Sequence, residues 1–572
     1  MQCLNTVKIR SDINLLSVIK IAIIDFISGN LFSQSVNFIV RLYNFFSRFP
    51  YKALSIITIF YKDAQAALKN GEMYFTYKNL NDLIYRFLLK YLLLFSLFLG
   101  LLSSAFAEGG KELHANGGSM VRLASSSASG VFDTEGLIRV YVQSGETIYL
   151  GSSGVNNNAS NNEIYLISPS GDLYGNGDKG YIANLGQEAN GPVGITDGGF
   201  EPFTRLADET GVWSVFFTGS PSFFDVSVST KTNADNPVLA DFLKGRAYMN
   251  VFGGDMGDYD RVFNGIFYVL TNDGYTYKVD ANGLAGYQFV FFSNNKGYKN
   301  GSNDASYRSQ NNTSTASLQD PRKPDVFNAN GTAEDVTHKL FFNIPAADLP
   351  TKADIYTRAA GYAGHNDTGT MQETWLKTTP TLPVIDKFTF TGREGTADMA
   401  GTSPLGGYIG FESNQAGTYS ITLDLGANDV TLTGDAVQGV NKVFWDGLNS
   451  AGQPVKGTLA SSAISVGLKA GEVHFPYIDV ENNPQGIKIT RLGGGLGATT
   501  VYWNDSNISG GGSNLAGADS GSGAHRWGST QYNDNAFGDN RGLDTWAYLL
   551  SNIISPASSI QLREADLQVV SL

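Results

Sequence analysis

From Glu108 onward the chain sets short apolar runs between clusters of Gly, Asn and Asp, and no stretch keeps a helical period through three turns. That pattern restricts it to β-architectures, because a period of two buries one face of a strand and exposes the other. Ile138, Val140 and Val142 alternate with Arg139, Tyr141 and Gln143. The turn Gln143-Ser144-Gly145-Glu146 then leads into Thr147 to Leu150, and the two runs read as a hairpin. Glu163 to Ile167 and Val212 to Phe217 read as further strands. Spacing of this kind predicts a first β-sandwich or jelly roll over 108–232.

A second β-rich domain is expected over 233–375. Phe263 to Leu270 and Tyr275 to Val279 flank Asn272-Asp273-Gly274, a hairpin signal because the turn needs positive φ, which Gly adopts without penalty. One such hairpin without a repeated copy argues against a propeller. The Asn/Ser/Lys-rich loop 294–325 lacks apolar periodicity, and disorder is the preferred reading over function. A third sandwich region is expected over 380–556, and 557–572 reads as the start of a further, truncated module. The fold class is therefore all-β, with tandem sandwiches following an N-terminal hydrophobic region.

That region, 1–107, carries the address. Arg86 and Lys90 flank the apolar run Tyr91 to Leu102, and Ala105-Phe106-Ala107 is an A-x-A site that places cleavage between Ala107 and Glu108. Twelve apolar residues are short for a bilayer span of roughly 20, so a cleaved export signal is favoured over an anchor. Because the signal lies internally, translation is expected to start at Met73 rather than Met1. Residues 1–107 hold 11 Lys or Arg and 5 Asp or Glu; with −13 for the whole chain, the remainder is −19. So acidic a chain repels nucleic-acid phosphates. Cys3 is the only cysteine, so the exported part has no disulfide and depends on core burial, with calcium as the one ion considered.

Two resemblances follow from particular residues. Trp445-Asp446-Gly447-Leu448-Asn449-Ser450-Ala451-Gly452-Gln453-Pro454-Val455-Lys456-Gly457-Thr458 resembles the Ig-like module of flagellar hook-capping proteins, near residues 405–465. There the family usually has an aromatic where this chain has Leu459. The resemblance implies a sandwich scaffold, not an activity. Gly471 to Leu492, Thr500 to Asp505, Ala524 to Gly528 and Phe537 to Tyr548 together resemble a block of large secreted surface proteins of gliding, outer-membrane-bearing bacteria. Such proteins are often cargo of the type IX system, whose C-terminal sorting domain is not visible here. The resemblance implies the front part of a longer surface protein.

Chemistry-bearing motifs are sparse. Gly493, Gly495 and Ala498 fit G-x-G-x-x-A, but Thr499 to Trp503 continues as strand where a dinucleotide site needs a helix. Asp505-Ser506-Asn507-Ile508-Ser509-Gly510 matches half a calcium loop, with Ala516 where a bidentate Glu belongs, so an Asx-rich turn is preferred. Asp255, Asp258 and Asp260 read as a solvated acidic loop. His474 and His525 lack the spacing of zinc ligands. Glu472, Asp479 and Asp544 cannot be paired from sequence, and no G-x-S-x-G elbow is present. Trp213, Trp445, Trp503, Trp527 and Trp546 could stack on sugars but read as core. No catalytic, cofactor or metal residue is assigned. The expectation is a secreted or cell-surface structural or adhesive protein without enzymatic activity, partnered by other surface proteins or a glycan. The alternative is an extracellular glycan-binding protein or polysaccharide-degrading enzyme.

Overall fold

The computed structural model describes residues 108–123, 137–155, 163–230, 241–258, 260–300, 302, 304–312, 336–358, 369–401, 405–528, 537–538 and 541–563. The chain divides into two compact units, Met1–Ser103 and Ser104–Leu572. The first lies outside the described residues, as do the start at Met73, the export segment through Ala107 and the module opening after Arg563.

The described residues of the second unit form almost wholly antiparallel sheets, with two short α-helices, Gly110–His114 and Leu185–Asn190. This is the β-sandwich class that the alternating runs predict. Its largest sheet has 12 strands, ten in a continuous row and two, Ile164–Ile167 and Leu173–Gly175, branching from Gly211–Phe217. The row runs from Gly369–Trp375 through Lys352–Arg358, Gly211–Phe217, Ile138–Val142 and Ala247–Met249 to Lys339–Phe341. It continues through Ile266–Leu270, Thr276–Asp280 and Asn483–Arg491 to His525–Trp527. One face supplies Val140, Trp213, Phe267, Val279 and Ile489 to a core shared with two covering sheets. Ile148 and Val226 enter from a four-stranded sheet, and Phe252, Phe291 and Tyr477 from a six-stranded one. The Phe267 ring stands 4.9 Å from Phe252 and 5.2 Å from Phe291, so the layers interlock through aromatic contacts.

A second, smaller core lies between Ile385–Gly392, Gly407–Ser413 and Gly439–Trp445 on one side and Gly417–Leu423 and Ile464–His474 on the other. The strand Ile464–His474 serves both cores. Ile464, Val466 and Leu468 enter the smaller one, and Val473 enters the larger.

Four readings differ from the structure. The Thr271–Tyr275 turn closes as expected, with Gly274 at φ 90°, but the strand read from Phe263 begins at Ile266, and Val262–Phe263 pairs with Leu284–Ala285 instead. The turn at 143–146 closes no hairpin. Ile138–Val142 joins the long sheet while Thr147–Ser152 pairs with Phe203–Leu206 and Phe224–Ser229. Both strands are buried along their whole length, so each needs a different layer, and the turn carries the chain across the sandwich.

The hydrogen bonding also crosses the boundaries drawn near 232 and 380. Gly211–Phe217 pairs with Lys352–Arg358, and Thr276–Asp280 with Asn483–Arg491. Finally, residues 294–300 and 304–312 of the polar loop are ordered. Tyr298 is fully buried and donates to the Tyr477 carbonyl at 3.0 Å, while Asn294 and Asn300 side chains accept from backbone N–H groups within the loop. One aromatic anchor and local Asx turns thus replace the missing periodicity. Residues 313–335 lie outside the described set.

Candidate functional site

The strand Ile464–His474 keeps strict alternation until Ala470, where its register against Thr545–Leu550 shifts before Val473. Gly471, at φ 52°, makes this bulge. A bulge changes which face the following residues point to. Val473 now faces the core, and Glu472 and His474, two apart, share the opposite face.

There they form a chain of three. His474 Nε2 lies 2.7 Å from Glu472 Oε1, and Nδ1 lies 2.8 Å from Asp544 Oδ2. His474 and Asp544 are fully buried, whereas the Glu472 side chain keeps 23% exposure. Burial alone would lower the imidazole, but Asp544 and then Glu472 outweigh it and push it up to about 9. His474 is therefore an imidazolium at neutral pH, donating from both nitrogens. His338, also buried, is driven the other way, down to about 3, by burial with the His474 charge adding to it. Gly297 closes over the pair. A Cβ there would stand 2.2 Å from Asp544 Oδ2 and 2.3 Å from His474 Nδ1.

Aromatic rings surround the exposed end. Tyr307, 40% exposed and at φ 47°, donates to Glu472 Oε2 at 2.8 Å. Burial and the Glu472 carboxylate raise its phenol. Its ring lies 5.6 Å from Trp546, which stacks on His474 at 5.7 Å. Tyr502 stacks behind Trp546 at 6.5 Å and meets Tyr548 edge-on at 5.2 Å, with Lys469 Nζ over both tyrosines at 4.7 and 5.2 Å.

A second buried network supports this one. Ser309 Oγ donates to Asp505 Oδ1 at 2.6 Å and accepts from Asp544 N at 2.9 Å. His525 links Asp505 Oδ2 at 2.7 Å to Thr545 Oγ1 at 2.6 Å and stacks on Trp503 at 5.0 Å. Both carboxylate oxygens of Asp505 are thus engaged by side chains.

The structure therefore joins Glu472, His474 and Asp544, which sequence could not pair, and joins His525 to Asp505. Asp479 instead occupies a turn at φ 61°. Asp258 caps its own loop at Asp260 N, 3.2 Å away. Gly493, Gly494, Gly495 and Gly497 form a loop closed from Arg491 N to Ala498 O, with strand rather than helix beyond. Of the tryptophans, Trp213, Trp445, Trp527 and Trp546 are buried and Trp503 half-buried. No group of three His, Cys, Asp or Glu among the described residues is placed to hold a metal ion. Glu108, read as the first residue after cleavage, is buried and bonded through its carboxylate. Sequence reasoning missed Tyr307 and Ser309; the usable signal was the Glu472–His474 spacing beside alternating Thr545-Trp546-Ala547-Tyr548.

No protein-family model matches the chain, and no curated protein matches it in sequence. Among solved structures it is similar to a DUF4785 family protein from Legionella pneumophila subsp. pneumophila str. Philadelphia 1. The identity is 8%, covering 64% of this chain and 84% of that one, with a TM-score of 0.11. A likeness so distant carries no statement about fold or function.

Proposed function

We propose that the chain is an exported cell-surface β-sandwich protein that binds without transforming. Its sandwiches serve as a structural or adhesive scaffold, and the Glu472 patch contacts a hydroxyl-rich ligand of the glycan class. The observation that carries this reading is the His474 clamp. Because both ring nitrogens already donate, His474 has no lone pair for a substrate proton and cannot serve as a general base at neutral pH. It holds Glu472 as a fixed acceptor beside Tyr307, Tyr548 and Trp546. A carboxyl acceptor next to aromatic rings matches a sugar, whose hydroxyls donate and whose C–H face packs on rings.

Glycoside hydrolysis by the common route needs two carboxylates that both reach the sugar. Asp544, the other acid of this cluster, is sealed beneath His474 and Gly297, which favours binding over cleavage. On a glycan array the E472Q variant should bind at least about tenfold more weakly, since a hydrogen bond to a charged group contributes roughly 1.5–3 kcal/mol. Chelating calcium should leave wild-type binding unchanged. Release of sugar from a polysaccharide, abolished by E472Q, would sink the proposal.

A further inference from the structure

Glu108 is held more firmly than a strand end requires. Its carboxylate accepts from the backbone N–H groups of Gly245, Arg246 and Ala247 at 2.7, 2.9 and 2.9 Å, and from Asn343 Nδ2 at 3.2 Å. Three successive N–H groups aimed at one carboxylate form an anion-binding concavity. The Glu108 carbonyl accepts from Val226 N at 2.7 Å, and Gly109 bridges Asp225. Gly109 N donates to Glu112 Oε2 at 2.9 Å. Successive backbone nitrogens stand at most about 3.7 Å apart, so the Glu108 nitrogen lies within about 6.6 Å of that carboxylate oxygen.

Acids gather around the segment that follows this nitrogen: Glu188 Oε1 would stand 2.4 Å from a Cβ at Gly110, and Asp225 bridges Gly109. Glu112 comes from the helix Gly110–His114, Glu188 from Leu185–Asn190, and Asp225 from Phe224–Ser229. Lys111 and Lys244 are the cations that act on them. Glu188 and Asp225 are completely buried. Glu188 Oε1 accepts from Phe224 N at 3.2 Å and Asp225 Oδ1 from Ser227 Oγ at 2.5 Å, yet Glu188 Oε2 and Asp225 Oδ2 meet no donor. With Glu108 itself, four acids face two lysines. Burial raises Glu188 to about 8 and Asp225 to about 7, so their negative charge, and the site's demand for a further cation, develops as the pH rises through these values.

We propose that hydrolysis of the Ala107–Glu108 bond meets this demand: the α-ammonium released at Glu108 is the third cation of this buried carboxylate cluster and locks the mature N-terminus into the fold. The inference rests on the export reading. A signal-peptidase-class endoprotease adds one water across the amide and the C–N bond breaks. The carboxylate stays on Ala107, and the Glu108 nitrogen takes up the proton that makes it cationic. Before cleavage the same nitrogen is a neutral amide. The sign follows from linkage. Carboxyls whose folded pKa is raised favour folding less as pH climbs from about 4 to about 8, and an ammonium beside them opposes that loss.

The test uses protein secreted by an export-competent bacterial host and sequenced from its N-terminus. One portion is transaminated in urea with pyridoxal phosphate, which replaces the α-amine by a ketone and spares lysines; a mock-treated portion is refolded beside it. The amine form should melt at least about 2 °C higher at pH 8, and the gap should close at pH 5, where the acids are protonated. Introducing E188Q should narrow the gap at pH 8. Equal melting at pH 8, or an equal gap at pH 5, overturns the inference while leaving the export reading intact. A mature start other than Glu108 overturns that reading, and the inference with it.

Discussion

The H474Q variant should lose about 3–5 kcal/mol of stability at pH 6, because removing one partner of a buried ion pair leaves the other uncompensated. Asp544 is fully buried, its Oδ2 is bonded to His474, and its Oδ1 has no donor in the structure. The pH dependence identifies the group. His474 titrates at about 9 in the fold against an ordinary 6.5, so the folded protein holds this proton more tightly than the unfolded chain does. Its stabilisation is complete below about pH 6.5 and is lost as pH rises through about 9, a span worth roughly 3 kcal/mol. Urea unfolding at pH 6 and pH 9.5 should show that loss in the wild type and its absence in H474Q. A variant that kept the same slope would mean that His474 is not the titrating clamp. G297A should be destabilised through the same pair, since its methyl would need the space of Asp544 Oδ2 and its φ of 62° disfavours any Cβ.

How far the sequence could lead depended on the range of each contact. Alternation in Ile138–Val142 and Ile464–Leu468 is a local property of extended chain, so the all-β class was legible, although Ile138–Val142 is buried on both faces. Which sheet a strand joins is not local. Gln143–Glu146 has the residues of a hairpin turn, and only the layers on either side decide that it crosses between sheets. The site divides in the same way. Glu472 and His474 stand two apart and their shared face could be read, whereas Asp544 arrives from 70 residues further along the chain. Tyr307 and Ser309 were hidden because they lie in a loop ordered by Tyr298 and by Asx turns rather than by apolar period. Trp445 and its following turn were visible because their bonds are local: the indole N–H donates to Leu448 O at 2.9 Å.

That tryptophan gives the second large effect. W445A should cost about 3–5 kcal/mol, since the ring is 1% exposed in a core that contains Ile409, Phe411, Ile421, Val466 and Ile560. W445F keeps most of the contact but leaves the Leu448 carbonyl without its donor, at about 1–2 kcal/mol. The consequences should be unequal across the molecule. Among the described residues the smaller core shares no buried apolar side chain with the larger one, yet Ile464–His474 passes from one to the other. Loosening Val466 and Leu468 should therefore reach Glu472 through the bulge at Gly471, while Val140, Trp213 and Val226 keep their packing. Hydrogen exchange in W445A should accelerate over 407–425 and 439–470, and more weakly at 472–474, with protection retained over 138–152 and 211–229. Uniform acceleration would show that the two cores unfold as one unit. Selective acceleration that spares 472–474 would show that the bulge isolates the Glu472 patch from the sandwich beside it, and ligand binding would then survive loss of that core.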